Sequence, residues 1–314
     1  MKFLISNCSN CNYFLISHFS LNISHLEKKV FLENNENGLV YMTSDRLPFR
    51  HMFTTRYGGV STGHLASLNL IGGHGDRPEN IRENFTRVAA LLGKGPDDCC
   101  VTKQVHGNVV RIVTKADRHV CLSEVPYEAD GIVTAEPGLP IFCFTADCVP
   151  VLLCDPVHKV VGAIHCGWRS SVADILGNAV EAMRTLGAEP GNIRAAIGPA
   201  IGACCFETHR EVPEAIEAWL GKEEAAPYFR PTPDPESNLT FNMEHLSLEQ
   251  KFLVNLRGAN ACRLRQLGLP ADHIDISEEC TFCRHDKYWS HRYEKGLRGG
   301  QAACIMIPDR EETP

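Results

Sequence analysis

The sequence of 314 residues lacks several features that mark common functional classes. No run of roughly 18 or more apolar residues occurs, so we predict no membrane span. There is no Gly-Lys-Ser/Thr phosphate loop and no convincing dinucleotide fingerprint. The formal net charge of -7 provides no basic excess, so we expect no nucleic-acid partner. With 44% hydrophobic residues, the chain can nevertheless bury a large core.

The 15 cysteines are scattered and show no disulfide-rich spacing. An odd count in a long chain favours a reducing compartment, so we expect a cytoplasmic protein whose cysteines are mostly buried as small apolar residues. Adjacent Cys204 and Cys205 would form a disulfide only with strain, and packing is the simpler interpretation. Cys280 and Cys283 form a CxxC that is followed closely by His285 and His291, which does not match the familiar two-pair zinc-finger spacings and argues against a second zinc.

Residues 129–168 contain three short apolar runs bounded by Pro, Gly and Asp, a pattern that predicts buried strands. Cys148 and His165 fall at strand ends, and His106 begins another β-branched run. Zinc binds thiolate and imidazole groups, and catalytic zinc sites use three protein ligands. These three residues therefore form a candidate zinc site with an open position. Cys148 also fits two other roles, a buried structural thiol or a nucleophile activated by either histidine.

Patterns elsewhere in the sequence predict further strands, two helices and a loop. Residues 30–43 are typical of two strands around an Asn-rich, Gly-ended turn. A helix is predicted to begin at Pro78, and strand composition resumes over residues 99–113. Residues 227–238 are rich in Pro and polar side chains and predict a loop between helices. Residues 243–267 carry a broad apolar face and predict a long helix.

Several motifs occur in one order along the chain: TTRYGGVS, KQVHG, EADG, TADCVPV, HCGWRS, IGPAIGACCFE and CTFC with SHR. Together they resemble the laccase-domain family, whose members are also called YfiH-type or YlmD-type proteins. The resemblance implies a mixed α/β sandwich, with a central mixed sheet between helices and the site at strand ends. It also implies purine nucleoside phosphorolysis and adenosine deamination at one metal site, with adenosine, inosine, methylthioadenosine and phosphate as the small-molecule partners.

The family resemblance supports His106, Cys148 and His165 as both the metal ligands and the catalytic centre, with zinc as the metal and copper as an alternative. His-x-His pairs are absent, however, and a multicopper oxidase needs many paired histidines. Cys166 stands where alanine is usual in the family. Because side chains alternate along a strand, we predict that Cys166 faces away from the metal.

Two arginines are candidates for binding phosphate. Arg169 precedes a predicted helix, where free backbone amides and the guanidinium would both meet an anion, and we rank it first. Arg56 lies beside a Gly-Gly turn and ranks second, against the alternative of a solvated surface arginine. Asp130 and Asp147 are candidates for a general acid by position alone.

The family resemblance begins only after the first thirty residues, which are rich in Asn, Ser and Phe. We interpret residues 1–29 as a poorly ordered or loosely docked extension, or as the product of a start codon placed too far upstream. Residues 30–308 would form one catalytic domain and residues 309–314 a polar tail. Nothing in the sequence indicates the oligomeric state.

Three alternatives to a zinc-dependent phosphorylase and deaminase stay open. A hydrolase that edits peptidoglycan precursors would use Cys148 as its nucleophile, and its activity would survive metal removal but not thiol alkylation. A non-catalytic binding module would hold zinc without turnover and unfold when the metal is chelated. Copper-dependent oxidation of polyphenols is the third alternative.

Overall fold

Short strands and helices make up most of the chain, and this computed structural model describes residues 31–233 and 250–309 of it. The strands are β1 (Phe31–Glu36), β2 (Leu39–Ser44), β3 (Arg50–Thr54), β4 (Val110–Ile112), β5 (Gly131–Thr134), β6 (Ile141–Thr145), β7 (Val149–Asp155), β8 (Val160–Cys166), β9 (Arg194–Ile197), β10 (Glu207–Thr208), β11 (Phe229–Pro231), β12 (Phe252–Val254), β13 (Ile274–Ile276) and β14 (Gln301–Met306). The helices are α1 (Pro78–Leu91), α2 (Trp168–Val172), α3 (Ile175–Thr185), α4 (Glu211–Leu220), α5 (Lys222–Ala225) and α6 (Leu256–Gln266). No helix within these two ranges is long and apolar enough to cross a membrane.

A six-stranded mixed sheet of order β13-β9-β7-β8-β5-β4 contains two of the three apolar runs of residues 129–168, as β7 and β8. Its middle strands β7 and β8 pair antiparallel, with Pro150 opposite His165. Both strands are buried along their whole length because both faces of the sheet are covered. Successive side chains point to opposite faces, so Val151 and Leu152 pack in different apolar clusters.

A five-stranded antiparallel sheet of order β1-β2-β3-β14-β6 packs against one face of the first sheet. Ile141 and Ile305 from this second sheet share an apolar cluster with Leu152 and Val161 from the first. Helices α3 and α6 cover the outer face of the six-stranded sheet, and α1 covers the outer face of the five-stranded one. The predicted mixed α/β sandwich is confirmed, although two facing sheets occupy its centre rather than one.

The hairpin predicted at residues 30–43 is confirmed by the antiparallel pairing of β1 with β2. Asn37 and Gly38 connect the two strands with φ values of 53° and 84°, the left-handed pair that a type I′ turn requires. The helix predicted from Pro78 is confirmed as α1. The extension expected at residues 1–29 lies outside the described residues.

The long helix predicted over residues 243–267 is wrong in the part that the structure describes before residue 256. Phe252–Val254 forms β12, which pairs with both β10 and β11 in a small three-stranded sheet. Helix α6 begins only after Asn255, whose side chain accepts a hydrogen bond from the Gly258 N–H. A three-residue strand has too few positions to show its period, and its pairing partners lie far away in sequence.

Two other predicted segments also differ from the structure. Only Val110–Ile112 forms a strand within residues 99–113, and His106 lies in the loop before it. The loop expected over residues 227–238 contains the strand Phe229–Pro231 in the part that is described. The buried side chain of Asp130 holds the His106 loop, and continuous sheet pairing does not. Strand composition therefore does not predict the structure of this loop.

Candidate functional site

Three side chains with metal-binding chemistry meet at one end of the six-stranded sheet. Cys148 directly precedes β7, His165 is the next-to-last residue of β8, and His106 lies in the loop before β4. One potential ligand atom from each lies within 4.8 Å of the others. Cys148 Sγ is 3.8 Å from His106 Nε2, and the centres of the two imidazole rings are 4.9 Å apart. The three residues proposed from the sequence are therefore adjacent in space.

The buried carboxylate of Asp130 positions both histidines. Its Oδ1 accepts hydrogen bonds from His165 Nδ1 at 2.8 Å and from the His106 N–H at 2.9 Å. Its Oδ2 accepts the N–H groups of Val105 and Gly107 at 3.1 and 2.8 Å. Burial alone would raise the pKa of Asp130, but these hydrogen bonds outweigh it and lower that pKa. With Nδ1 of His165 engaged, Nε2 is the ring nitrogen left for a ligand.

Cys148 and His165 favour their charged forms in each other's presence. Burial alone would raise the pKa of the Cys148 thiol, but the charge of His165 and hydrogen bonds from both histidines lower it to about 6. Burial alone would lower the pKa of His165, but the Cys148 thiolate and the Asp130 carboxylate raise it to about 9. One thiolate and two imidazoles within reach of a single ion are a donor set that fits a divalent transition metal.

Two backbone positions allow these side chains to approach one another. Asp147 has a φ of 86°, and its carboxylate accepts hydrogen bonds from Thr281 Oγ1 at 2.6 Å and from the Arg292 N–H at 2.7 Å. Gly167 faces the ligand group, and a Cβ built there would lie 2.8 Å from His106 Cδ2. Asp130 and Asp147, the candidates for a general acid, thus both accept hydrogen bonds in this structure.

We expect Gly167→Ala to weaken metal binding by roughly 10-fold or more, a loss typical of disturbing groups that orient ligands. The added methyl group would overlap the His106 ring and push it away from Cys148. Competition with a metal-binding dye measures the affinity. Gly191→Ala is the matched control, because a methyl group there meets no atom within 4 Å. Equal metal affinity in the two variants would contradict the assignment of His106 as a ligand.

A cavity of about 540 Å³ adjoins the ligand group. Its apolar wall is formed by Ile71, Phe144, Ala146, Ile201 and Phe206. Thr102 and Thr145 also belong to its lining, and their hydroxyl groups are buried without a hydrogen-bond partner among the described residues. A cavity that combines an apolar wall with convergent polar and charged groups is typical of a site for a small organic molecule.

Arg292 and Arg298 line the same cavity. Nε of Arg298 is buried and has no hydrogen-bond partner in the part of the chain that the structure describes, while Nη1 donates to the Gly299 carbonyl at 3.2 Å. Burial lowers the pKa of Arg298, against the opposing charges of Cys148 and nearby carboxylates. Two guanidinium groups that line one cavity are well suited to binding an anion.

The two arginines that sequence reasoning selected lie outside this cavity lining. All three nitrogens of the Arg56 guanidinium donate hydrogen bonds, to two backbone carbonyls and to Glu294, and the group lies 3.8 Å from the centre of the Trp289 ring. The guanidinium of Arg169 stacks over Trp168 at 4.2 Å. Arg292 and Arg298 were missed, although SHR at residues 290–292 belongs to the recognised motifs.

Cys166 packs in the apolar cluster on the helix-covered face of the six-stranded sheet, opposite to the face that its neighbour His165 occupies. This placement follows from the alternation of side chains along β8.

Gln104, from the KQVHG motif, has a structural role. Its amide donates to the Phe144 carbonyl and accepts the Phe144 N–H, both at 2.7 Å, so it holds the His106 loop against β6.

Fold and site together define a class of protein, an α/β sandwich with one Cys–His–His group beside a cavity at the end of its mixed sheet. Over residues 50–308 the chain matches the family described as multi-copper polyphenol oxidoreductase laccase. The chain belongs to this family, which confirms the laccase-domain resemblance of its motifs. The matched region contains all three candidate ligands and every residue that lines the cavity.

Individual relatives cover most of the chain. Purine nucleoside phosphorylase YlmD of Geobacillus stearothermophilus is 34% identical over 257 residues, which are 80% of this chain and 88% of the relative. A purine nucleoside phosphorylase of Deinococcus radiodurans is 35% identical over 276 residues, 87% and 95% of the two chains. The solved structure of the hypothetical protein YfiH of Bacillus licheniformis has a TM-score of 0.77 at 28% identity, covering 89% of this chain and 100% of its own. The solved structure of YlmD from G. stearothermophilus has a TM-score of 0.75 at 29% identity, covering 89% of this chain and 99% of its own.

Proposed function

We propose that this chain is a metal-dependent purine nucleoside phosphorylase that acts on adenosine, inosine and methylthioadenosine, and that the same site deaminates adenosine. One observation carries the proposal: a single cavity combines a thiolate–imidazole ligand group, an apolar wall and two arginines. The names of the relatives from G. stearothermophilus and D. radiodurans support phosphorolysis as the reaction.

His106, Cys148 and His165 would hold one zinc ion. Zn–S and Zn–N bonds of about 2.3 and 2.05 Å at a tetrahedral angle separate the ligand atoms by roughly 3.6 Å. The 3.8 Å between Cys148 Sγ and His106 Nε2 is close to that value. Zinc bound there would supply a Lewis acid at the cavity wall. Copper is the alternative metal for the same ligands, without the paired histidines of a multicopper enzyme.

The side chains of the cavity suit the separate parts of a nucleoside and phosphate. Phe144 and Phe206 would contact the purine and keep water away from it. Arg292 and Arg298 would bind phosphate, whose oxygen attacks the anomeric carbon of the ribose while the carbon–nitrogen bond to the purine breaks. Positive charge develops on the sugar during this step, and the phosphate that the arginines hold beside it stabilises that charge.

Hydrolysis with Cys148 as the nucleophile, as in the editing of peptidoglycan precursors, is a second candidate. The pKa of Cys148 is about 6, and Asp130 orients the neighbouring His165 through Nδ1, so nucleophile, base and orienting carboxylate are all present. A sulfur bound to metal is not available to attack a substrate. A hydrolase of this kind would therefore keep its activity after metal removal and lose it on thiol alkylation.

Turnover of adenosine and inosine by protein of known metal content, with and without phosphate, tests the proposal. We expect adenine or hypoxanthine to be released only when phosphate is present, and inosine to form from adenosine without it. Chelation should abolish both reactions. Protein that contains metal at the site but yields neither base nor inosine would overturn the proposal.

We expect Arg298→Ala to raise the KM for phosphate by roughly 10- to 100-fold, since a hydrogen bond to a charged group contributes about 1.5–3 kcal/mol. Arg169→Ala is the matched control, because that guanidinium stacks on Trp168 outside the cavity. Initial rates over a range of phosphate concentrations give the two KM values. The opposite result, with only Arg169→Ala affected, would move the phosphate site to the start of α2, as the sequence predicted.

A further inference from the structure

Four cysteines come together at the turn that carries Ile201 and Phe206, two residues of the cavity wall. Cys204 and Cys205 lie in the turn between β9 and β10, and Cys280 and Cys283 lie in the segment between β13 and β14. We call these four residues the cysteine cluster. All four sulfur atoms lie within 4.8 Å of one another. Three of the side chains are half-buried and Cys280 is buried.

The spacing of the sulfur atoms distinguishes between a disulfide and a metal site. The distances among Cys204, Cys205 and Cys283 are 3.4, 3.5 and 3.6 Å. A disulfide bond is about 2.05 Å long, so these three sulfurs are too far apart to be bonded. Four thiolates around one zinc ion at about 2.3 Å stand roughly 3.8 Å apart. The observed spacing is therefore close to that of a single tetrahedral ion, with little room for a larger cluster.

A backbone amide donor and a buried cation lie beside the sulfur atoms of the cysteine cluster. The Gly202 N–H donates to Cys280 Sγ at 3.1 Å. A Cβ built on Gly202 would lie 3.2 Å from Cys204 Sγ and 3.3 Å from Nη2 of Arg257, so a buried guanidinium lies beside the sulfurs. Four thiolates around a divalent ion leave an excess negative charge, which a neighbouring cation and amide donors offset.

The histidines near the cysteine cluster in sequence make contacts elsewhere. The His285 ring stacks on Tyr293 at 3.6 Å, and its Nδ1 lies 3.2 Å from the Phe282 carbonyl. His291 lines the cavity. The group of potential ligands therefore consists of four sulfurs from two chain segments, without His285 or His291.

We propose that Cys204, Cys205, Cys280 and Cys283 form a second metal site, which holds one structural zinc ion and is separate from the His106–Cys148–His165 group. Four protein ligands leave no open position, so the ion would stabilise rather than catalyse. It would join the turn that carries Ile201 and Phe206 to the segment that carries Thr281. Ile201 donates its N–H to the Asp147 carbonyl at 3.0 Å, and Thr281 Oγ1 donates to the Asp147 carboxylate at 2.6 Å, so the ion would brace the turn before Cys148.

Metal content of the purified full chain, measured by mass spectrometry of the elements, tests the second site without relying on activity. We expect two zinc ions per chain in the wild type. Cys280→Ser combined with Cys283→Ser should lose one ion, Cys148→Ala should lose the other, and the triple variant should lose both. Cys121→Ser is the control, because Cys121 is half-buried like three of the cluster cysteines but lies outside both ligand groups. It should keep two ions.

Cobalt substitution of the wild type provides a test that does not depend on a variant folding. Four thiolates around cobalt produce strong sulfur-to-metal charge-transfer absorption, well above that of a site with one thiolate. We expect this absorption in the wild type and in Cys148→Ala. One zinc per chain that disappears in Cys148→Ala, a cobalt spectrum of one thiolate, or two thiols fewer than the sequence contains when the denatured protein is titrated would each overturn the proposal.

Discussion

Cys148→Ala is expected to remove the metal from the His106–Cys148–His165 group and to lower phosphorolysis by more than the roughly 10- to 100-fold that a change in an outer-shell residue costs. Cys148 supplies the one thiolate of that group, and only the two imidazoles remain without it. The residue is half-buried and directly precedes β7, so its truncation should cost the fold little. Metal content, kcat/KM and the thermal unfolding temperature measure the three effects.

Cys166→Ala is the control for this loss. Cys166 follows His165 in β8, but it packs in the apolar core on the other face of the sheet. Its truncation should lower the unfolding temperature and leave metal content and kcat/KM close to the wild-type values. An inactive Cys148→Ala protein with its full metal content would instead show that the sulfur is a nucleophile and not a ligand.

Asp130→Asn is expected to lower metal affinity by roughly 10- to 100-fold and to destabilise the protein by several kcal/mol. The carboxylate accepts hydrogen bonds from three backbone N–H groups and from His165 Nδ1. An asparagine keeps one acceptor oxygen and turns an N–H₂ group towards donors, so buried N–H groups lose their partners. Each such group costs about 1–3 kcal/mol, and the loop that carries His106 would loosen.

Asp155→Asn separates the two effects. Asp155 is also fully buried, accepts the N–H groups of Val157, His158 and Glu189, and lies 2.8 Å from His158 Nδ1. It lies at the far end of β7 from Cys148. Denaturant unfolding should show similar destabilisation in both variants, whereas only Asp130→Asn should lose metal affinity. Equal losses of affinity would mean that Asp130 acts through general stability and not by orienting the histidines.

Some parts of this site can be predicted from the sequence because single segments carry the information. Apolar runs bounded by Asp, Gly and Pro locate β7 and β8, and the ends of those runs locate Cys148 and His165. His106 is a harder case, since it has a φ of 60° in a loop, and strand composition alone would misplace it. The family motif KQVHG, rather than any period, identifies it.

The sequence does not reveal which arginines already have hydrogen-bond partners in the folded chain. Arg56 and Arg298 both lie near glycines in the sequence. All three guanidinium nitrogens of Arg56 donate hydrogen bonds, whereas Nε of Arg298 has no partner among the residues that the structure describes. One partner of Arg56 lies 229 positions away in sequence. The cysteine cluster cannot be recognised in the sequence for the same reason. Cys204 and Cys283 are 79 positions apart, and neither pair of cysteines indicates a metal site by itself.

The loop, carboxylate and strand that build the Cys–His–His group come from distant parts of the chain. Cys148 and His106 are 42 positions apart, and Asp130 and His165 are 35 positions apart. Contacts of this range form late in folding, because the intervening chain must lose its freedom before the contact returns any stability. The complete group also requires His165, so a growing chain cannot assemble it before β8 has left the ribosome.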